Sequence, residues 1–366
     1  MDEQTRRKLK EQLFKEIQSQ KLGIVARREI DYARTVPSGS LAIDLALDGG
    51  WQCGAWHVLW GHPGCGKTTV CILSARERIR HGGRVAWFDT ENAVVRERLE
   101  QYDVNPDDID FFGGSGEEIQ DMIEAILHAK ISGSPAPFCY DLIVVDSVGN
   151  TAFQAELEAE AGDNHVAIGA RKWSVFFRTK AELLRQAGIP VLLTNHLHEG
   201  LGKYEQDRMS GGVKLMYNSH NVFKFRSPEY HRSGSSVLGV TFNAFLWRSR
   251  FVPADPKGIG ANTFKLRVDF DPALGIAEVN TAAELGRVAI ALGVLTKANG
   301  EPTLDGKSKY YKGELLSEKI EGIPDALAEN PELFQSIHAD VRQKFDQKLL
   351  SKQKNHGMIS EAIVEE

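Results

Sequence analysis

The sequence predicts an α/β fold around a mostly parallel central sheet, and three observations point there. Largely apolar runs, among them Trp56-His57-Val58-Leu59-Trp60 and Leu142-Ile143-Val144-Val145, read as strands covered on both faces. Helical stretches separate these runs, as the crossovers between parallel strands require. A glycine-rich turn at residues 61–68 links the first run directly to a helix.

The elements follow in chain order. Residues 4–20 carry Leu9, Leu13, Phe14 and Ile17 at helical spacing among charged residues, which predicts a helix whose narrow apolar stripe needs a partner surface, in its own domain or a neighbouring subunit. Ser38-Gly39-Ser40 supplies an N-cap for a helix over 41–47, and Gly49-Gly50 stops it. Strand 56–60, the glycine turn, helix 68–80, its stop at Gly82-Gly83, and strand 84–88 come next. Residues 141–146 and 189–194 are two further buried strands. Beyond Gly211-Gly212 the stretches 221–226, 237–248 and 263–270 read as strands that continue the sheet with antiparallel partners. From Thr281 the pattern becomes helical and more polar, punctuated by Pro302, Pro324 and Pro331. The expected layout is therefore an N-terminal helix and linker over 1–34 and a core over 35–280. A small α/β C-terminal subdomain over 281–350 and a flexible tail over 351–366 complete it.

Composition bounds the rest. The 366 residues are 42% hydrophobic and 26% charged, and no apolar run approaches the ~18 residues of a membrane span. The start, Met1-Asp2-Glu3-Gln4, does not resemble a signal peptide, so a cytoplasmic protein is expected. Cys53, Cys65, Cys71 and Cys139 lack zinc-site spacing and read as reduced. A net charge of −6 excludes a uniformly basic surface while leaving room for a local nucleic-acid face.

The chemistry concentrates at strand ends. Gly61-His62-Pro63-Gly64-Cys65-Gly66-Lys67-Thr68, followed by Thr69, matches G-x-x-x-x-G-K-[ST] between a strand and a helix. Its glycines let successive backbone N–H groups face phosphates, and the helix adds its positive end. ATP and Mg2+ are the expected ligands, with Lys67 on the β- and γ-phosphates and Thr68 on the metal. Asp146, closing the run 142–145, is the second metal-side residue. Strand 84–88 leads into Asp89-Thr90-Glu91, where Glu91 reads as the general base and Asp89 as a cap or turn acid. Asn195-His196, at the end of strand 189–194, is placed to sense the γ-phosphate and pass the signal to the long, aperiodic segment 197–212.

These residues resemble the bacterial RecA and phage UvsX-like DNA strand-exchange recombinases over roughly 4–345. The likeness rests on Ser38-Gly39-Ser40-Leu41, the loop 61–69, Phe88-Asp89-Thr90-Glu91-Asn92-Ala93 and Val144-Val145-Asp146-Ser147-Val148. It also rests on Ala155 to Arg171 and on Met209-Ser210-Gly211-Gly212-Val213-Lys214-Leu215. It implies a RecA-like P-loop ATPase core with two DNA-binding loops, about 155–165 and 197–212, and contacts to single-stranded DNA from Arg171, Ser174, Arg178, Gly211 and Gly212. Arg248 and Arg250 stand where the family's basic pair reaches the neighbour's ATP, which makes them expected catalytic residues beside Glu91, Lys67 and His196. The N-terminal helix would pack on the adjacent protomer of a helical filament. The implied activity is ATP-dependent pairing and exchange of single-stranded DNA with homologous duplex. A ring-forming helicase of the same fold, or a nucleotide-gated accessory protein, are the alternatives. Three departures stand out: His196 replaces the bacterial glutamine, residues 94–98 lack the adenine-holding aspartate and tyrosine, and an acidic tail is nearly absent.

Overall fold

The computed structural model describes residues 34–133, 139–157, 168–198, 208–209, 213–252, 263–271, 273–301 and 308–365. The helix expected over 4–20, Gly211, Gly212 and most of the two expected DNA loops lie outside the described residues. The chain divides into a short unit, Met1–Arg34, and a large one, Thr35–Glu366, which holds every element below.

A short antiparallel pair, β1 (Thr35–Val36) with β2 (Trp51–Gln52), brackets helix α1 (Leu41–Ala46). Ser40 caps α1 as expected, its side chain accepting from Ile43 N–H. The central sheet begins with β3 (Trp56–Gly61), followed by α2 (Lys67–Arg80), β4 (Val85–Asp89), α3 (Arg96–Gln101) and β5 (Ile109–Phe112). Helix α4 (Gly116–Ser132) opens on a Ser115/Glu118 capping box and ends at Gly133, whose φ of 68° is the left-handed turn that glycine adopts without strain. There follow β6 (Leu142–Asp146), α5 (Gln154–Leu157), α6 (Ile168–Thr179), α7 (Ala181–Ala187), β7 (Val191–His198), β8 (Arg208–Met209), α8 (Val213–Asn218) and β9 (Asn221–Phe225).

In space these strands run β5-β4-β6-β7-β3-β9, all parallel. Successive residues of each strand point to opposite faces, and in the inner strands β6, β7 and β3 both faces are buried. Leu59, Trp87, Val144 and Leu192 enter the core under α1 and α2, while Val58, Phe88, Val145 and Leu193 enter the core under α4 and α6. Continuous apolar runs follow from that arrangement, and each such side chain contributes roughly 1.5–3 kcal/mol by burial.

Besides the short β8, which pairs antiparallel with β7, the sheet turns antiparallel at β11 (Ser236–Ser249), which forms a hairpin with β10 (Glu229–Ser233) and pairs with β9 on one side and β12 (Thr263–Asp271) on the other. The expectation of antiparallel partners from residue 221 onward is corrected at β9, which lies parallel to β3. Strand β13 (Ile276–Val279) closes this edge.

The C-terminal segment has a core of its own. Helices α9 (Thr281–Ala291), α10 (Ile323–Glu329) and α11 (Pro331–Glu365), with the hairpin β14 (Lys309–Tyr311) and β15 (Glu314–Ser317), bury Leu285, Ile290, Ile323, Leu327, Ile337 and Val341 together. Helix α1 joins the two regions, because Ile43 belongs to the core over the sheet while Leu41 and Leu45 pack on the C-terminal core. The backbone of α11 continues through 351–365, so the stretch read from its polarity as a tail is helical.

Candidate nucleotide site

Register brings the chemistry together. Gly61 of β3 pairs with His196 of β7, and Asp89 of β4 pairs with Asp146 of β6, so four neighbouring strands end at one edge. This is the carboxyl edge, where open α/β sheets bind ligands. The glycine loop leaves β3 there and enters α2. Gly66 has a φ of 100°, and a Cβ on it would lie 2.4 Å from the Phe242 ring, so glycine is required twice over.

Lys67 is buried, and its Nζ donates to Gly61 O at 2.9 Å and His62 O at 2.8 Å. The ammonium thus lies within the curl of the loop. Burial pushes the Cys65 thiol up, which keeps it protonated beside that lysine. Thr68 Oγ1 donates to Asp146 Oδ2 at 2.9 Å, and Thr194 Oγ1 donates to Asp146 Oδ1. Burial raises the pKa of Asp146; the two hydroxyls oppose the rise, and the charges of Glu91 and Asp89 add to it. A buried carboxylate that, among the described residues, has threonine hydroxyls and no cationic side chain as hydrogen-bond partners fits a hard divalent cation such as Mg2+.

Glu91 and Asp89 take different parts. Asp89 accepts from three backbone N–H groups, Glu91 and Ala93 on Oδ1 and Val94 on Oδ2, at 3.1–3.3 Å. It is the acid that shapes the turn. Glu91 is left to face His196, whose Nε2 lies 2.6 Å from Oε1. The hydrogen bond from His196 holds Glu91 below the usual carboxylate range against the effect of burial, with Ser147 and the charge of Lys67 helping. The backbone is pinned from beneath: Thr90 N–H donates to Asp146 O at 2.8 Å, and Ser147 N–H to Thr90 Oγ1 at 2.8 Å. A carboxylate held ionised by His196, a buried acid bonded to two threonine hydroxyls and a glycine-rich loop around Lys67 therefore share one fixed edge.

The family model for the RecA N-terminal domain matches residues 7–252, two thirds of the chain and the whole of this edge. The chain belongs to the RecA family. Among its relatives, Protein RecA of Thermus thermophilus is 28% identical over 370 residues, covering 98% of this chain and all of that protein. Protein RecA of Oceanobacillus iheyensis is 26% identical over 326 residues, covering 88% and 86%. Protein RecA of Lactobacillus acidophilus is 28% identical over 334 residues, covering 89% and 85%.

Arg248 and Arg250, singled out by likeness to RecA, stand at the opposite end of the strands from this edge. Arg248 Nη1 donates to the carbonyls of Met216, Tyr217 and Ser219 at 2.8, 3.2 and 3.0 Å, and Arg250 Nη2 donates to Tyr217 O at 2.6 Å. Both arginines thus hold the C-terminal end of α8, the helix that follows the expected second DNA loop. Arg171 and Arg178 are exposed on α6, two turns apart and so on one face, with Val175 between them. Ser174 is different. It is buried, and its hydroxyl and carbonyl accept from Asn218 Nδ2, so it joins α6 to α8 instead of presenting a surface for DNA. Gly211 and Gly212 lie outside the described residues. Thr194, which sequence reasoning missed, holds Asp146; a hydroxyl near the end of an otherwise apolar strand was its signal.

Proposed function

We propose that this chain is an ATP-dependent recombinase that assembles as a filament on single-stranded DNA, pairs it with homologous duplex and exchanges the strands. The observation that carries the reading is the meeting of Lys67, the Thr68–Asp146 pair and the Glu91–His196 pair at one sheet edge in a chain of this family. Lys67 binds the β- and γ-phosphate oxygens of ATP, and the loop from Gly61 to Thr69 wraps them with backbone N–H groups. Thr68 and Asp146 would hold Mg2+, which when bound offsets the phosphate charge. Glu91 takes the proton of the attacking water as its oxygen bonds to the γ-phosphorus and the bond to ADP breaks. His196 touches Glu91 and stands beside Gly61, so a γ-phosphate in the loop reaches both partners of the pair.

For DNA, the Arg171 and Arg178 face of α6 supplies charge for phosphates, and Gly211-Gly212 the open backbone of the second loop. In a filament Arg248 and Arg250 would complete the ATP site of the neighbouring protomer, and residues 1–34 would supply the packing helix. The proposed setting is the cytoplasm.

The test is ATP hydrolysis with and without single-stranded DNA. Stimulation of roughly tenfold or more is expected of the intact protein, and Lys67→Ala should lower the stimulated rate by roughly 10²–10³-fold, the usual cost of losing one charge-stabilising group. A rate indifferent to added polynucleotide would contradict the reading.

A further inference from the structure

Glu284 stands in the first turn of α9, on the C-terminal side of the molecule, and is 2% exposed. Both of its oxygens are engaged by α1: Ser40 Oγ donates to Oε1, and Leu41 N–H donates to Oε2 at 3.2 Å. Ser40 is itself the cap of α1 and accepts from Ile43 N–H at 3.3 Å. A carboxyl group of the C-terminal core therefore holds the N-terminus of a helix rooted in the nucleotide core.

The chain of bonds continues inward. Ser38 Oγ donates to Ser40 O at 3.0 Å, and Ser74 Oγ donates to Ser38 O at 3.1 Å. Ser74 lies on α2, seven residues after Lys67. At Gly39 an added Cβ would stand 2.8 Å from Leu73 O, so the 38–40 turn rests directly on the backbone of α2. We propose that Glu284 is a positioning residue for the phosphate loop, fastening the C-terminal subdomain to the 38–40 turn and through that turn to α2. The inference rests on the nucleotide-site reading above.

The fastening is sensitive to charge. Burial pushes Glu284 up to about 7, with the charge of Asp44 adding to the rise. Burial likewise pushes Asp44, which accepts from Ser38 N–H at 2.9 Å, up to about 6. Around the pair stand Glu77 from α2, which raises Asp44, and Arg342 from α11, which lowers it. Asp48 is paired with Lys348 at 3.0 Å, and on β12 Arg267 is paired with Asp269. Arg287, one turn along α9, feels the charges of Glu229 and Glu321. Among the described residues no cation forms an ion pair with Glu284.

A folded-state pKa above the unfolded one gives stability that is complete below the unfolded value, about 4.3 for glutamate. That stability is lost as pH rises through about 7. The junction should be firmer at pH 6 than at pH 8.

Hydrogen exchange of the full chain at pH 6 and pH 8, corrected for intrinsic rates, reads the junction directly. Protection over 41–46 and 283–290 should fall between the two pH values in the wild type. Glu284→Gln, uncharged throughout, should shrink that step to the part Asp44 contributes. Glu284→Ala and Ser40→Ala should lower protection at both pH values while the strands β3 and β6 stay protected, and at pH 6 should raise KM for ATP by roughly three- to tenfold with kcat little changed. An unaltered pH step in Glu284→Gln, or an unaltered KM in both alanine variants, would overturn the proposal. If the wild type fails to bind ATP, the nucleotide-site reading falls instead, and the exchange data still judge the junction.

Discussion

The Glu91–His196 contact is where single residues bear most on the chemistry. A general base commonly contributes 10²–10⁴-fold, so Glu91→Gln should slow hydrolysis by about that factor while leaving nucleotide binding, measured with a fluorescent ATP analogue, nearly intact. The same contact sets a pH dependence. Glu91 is held below the usual carboxylate range, so the benefit of its ionised form is present above the ordinary value and fades only as pH falls through the lowered one. In His196→Ala the largest lowering influence is gone and burial acts with less opposition, so the acid limb of the kcat/KM profile should move to higher pH. An acid limb that stays in place would mean His196 does not tune Glu91. Part of this site is legible in the residues alone. Glu91, Asp146 and the glycine loop announce themselves by standing at the ends of apolar strands. The engagement of Ser174 does not, because its hydrogen-bond partner Asn218 stands 44 positions away.

Among the elements, α8 is the one whose setting the sequence conceals. Its last carbonyls are held by Arg248 and Arg250, and backbone acceptors leave no mark in a residue pattern. Arg248→Ala removes a charged donor from two of them, and from Ser219 O just beyond, and should lower the local stability of α8 by about 1.5 kcal/mol, seen as faster hydrogen exchange over 213–218 with β9 unaffected. Unchanged exchange there would show that Arg250 alone suffices. The sheet teaches a related lesson. Strands β3, β6 and β7 were legible because both faces are buried and nearly every position is apolar. By contrast β5 is an edge strand whose Phe111 is 42% exposed, and β10 is mostly exposed, so neither carries the apolar run that betrays its neighbours. The antiparallel edge was foreseen, but not its start: direction depends on how the chain returns, which the apolar content of 221–225 does not encode.

At the scale of the whole molecule, two cores meet at α1: the nucleotide edge belongs to one, and α9 to α11 to the other. The proposed site holds the groups that nucleotide binding and water activation need, while the arginines expected to act on a neighbour's ATP are engaged with α8 of their own chain. Under the proposed function these arginines would have to leave α8 to reach a neighbour's ATP, so that hydrolysis would wait for assembly. The most direct test of the recombinase reading is strand exchange between circular single-stranded DNA and homologous linear duplex, followed on gels with and without ATP. Joint molecules and then nicked circles should form with ATP and Mg2+, and should be absent without ATP, with Lys67→Ala, or with a non-homologous duplex. DNA binding and ATP hydrolysis without any joint molecules would contradict it.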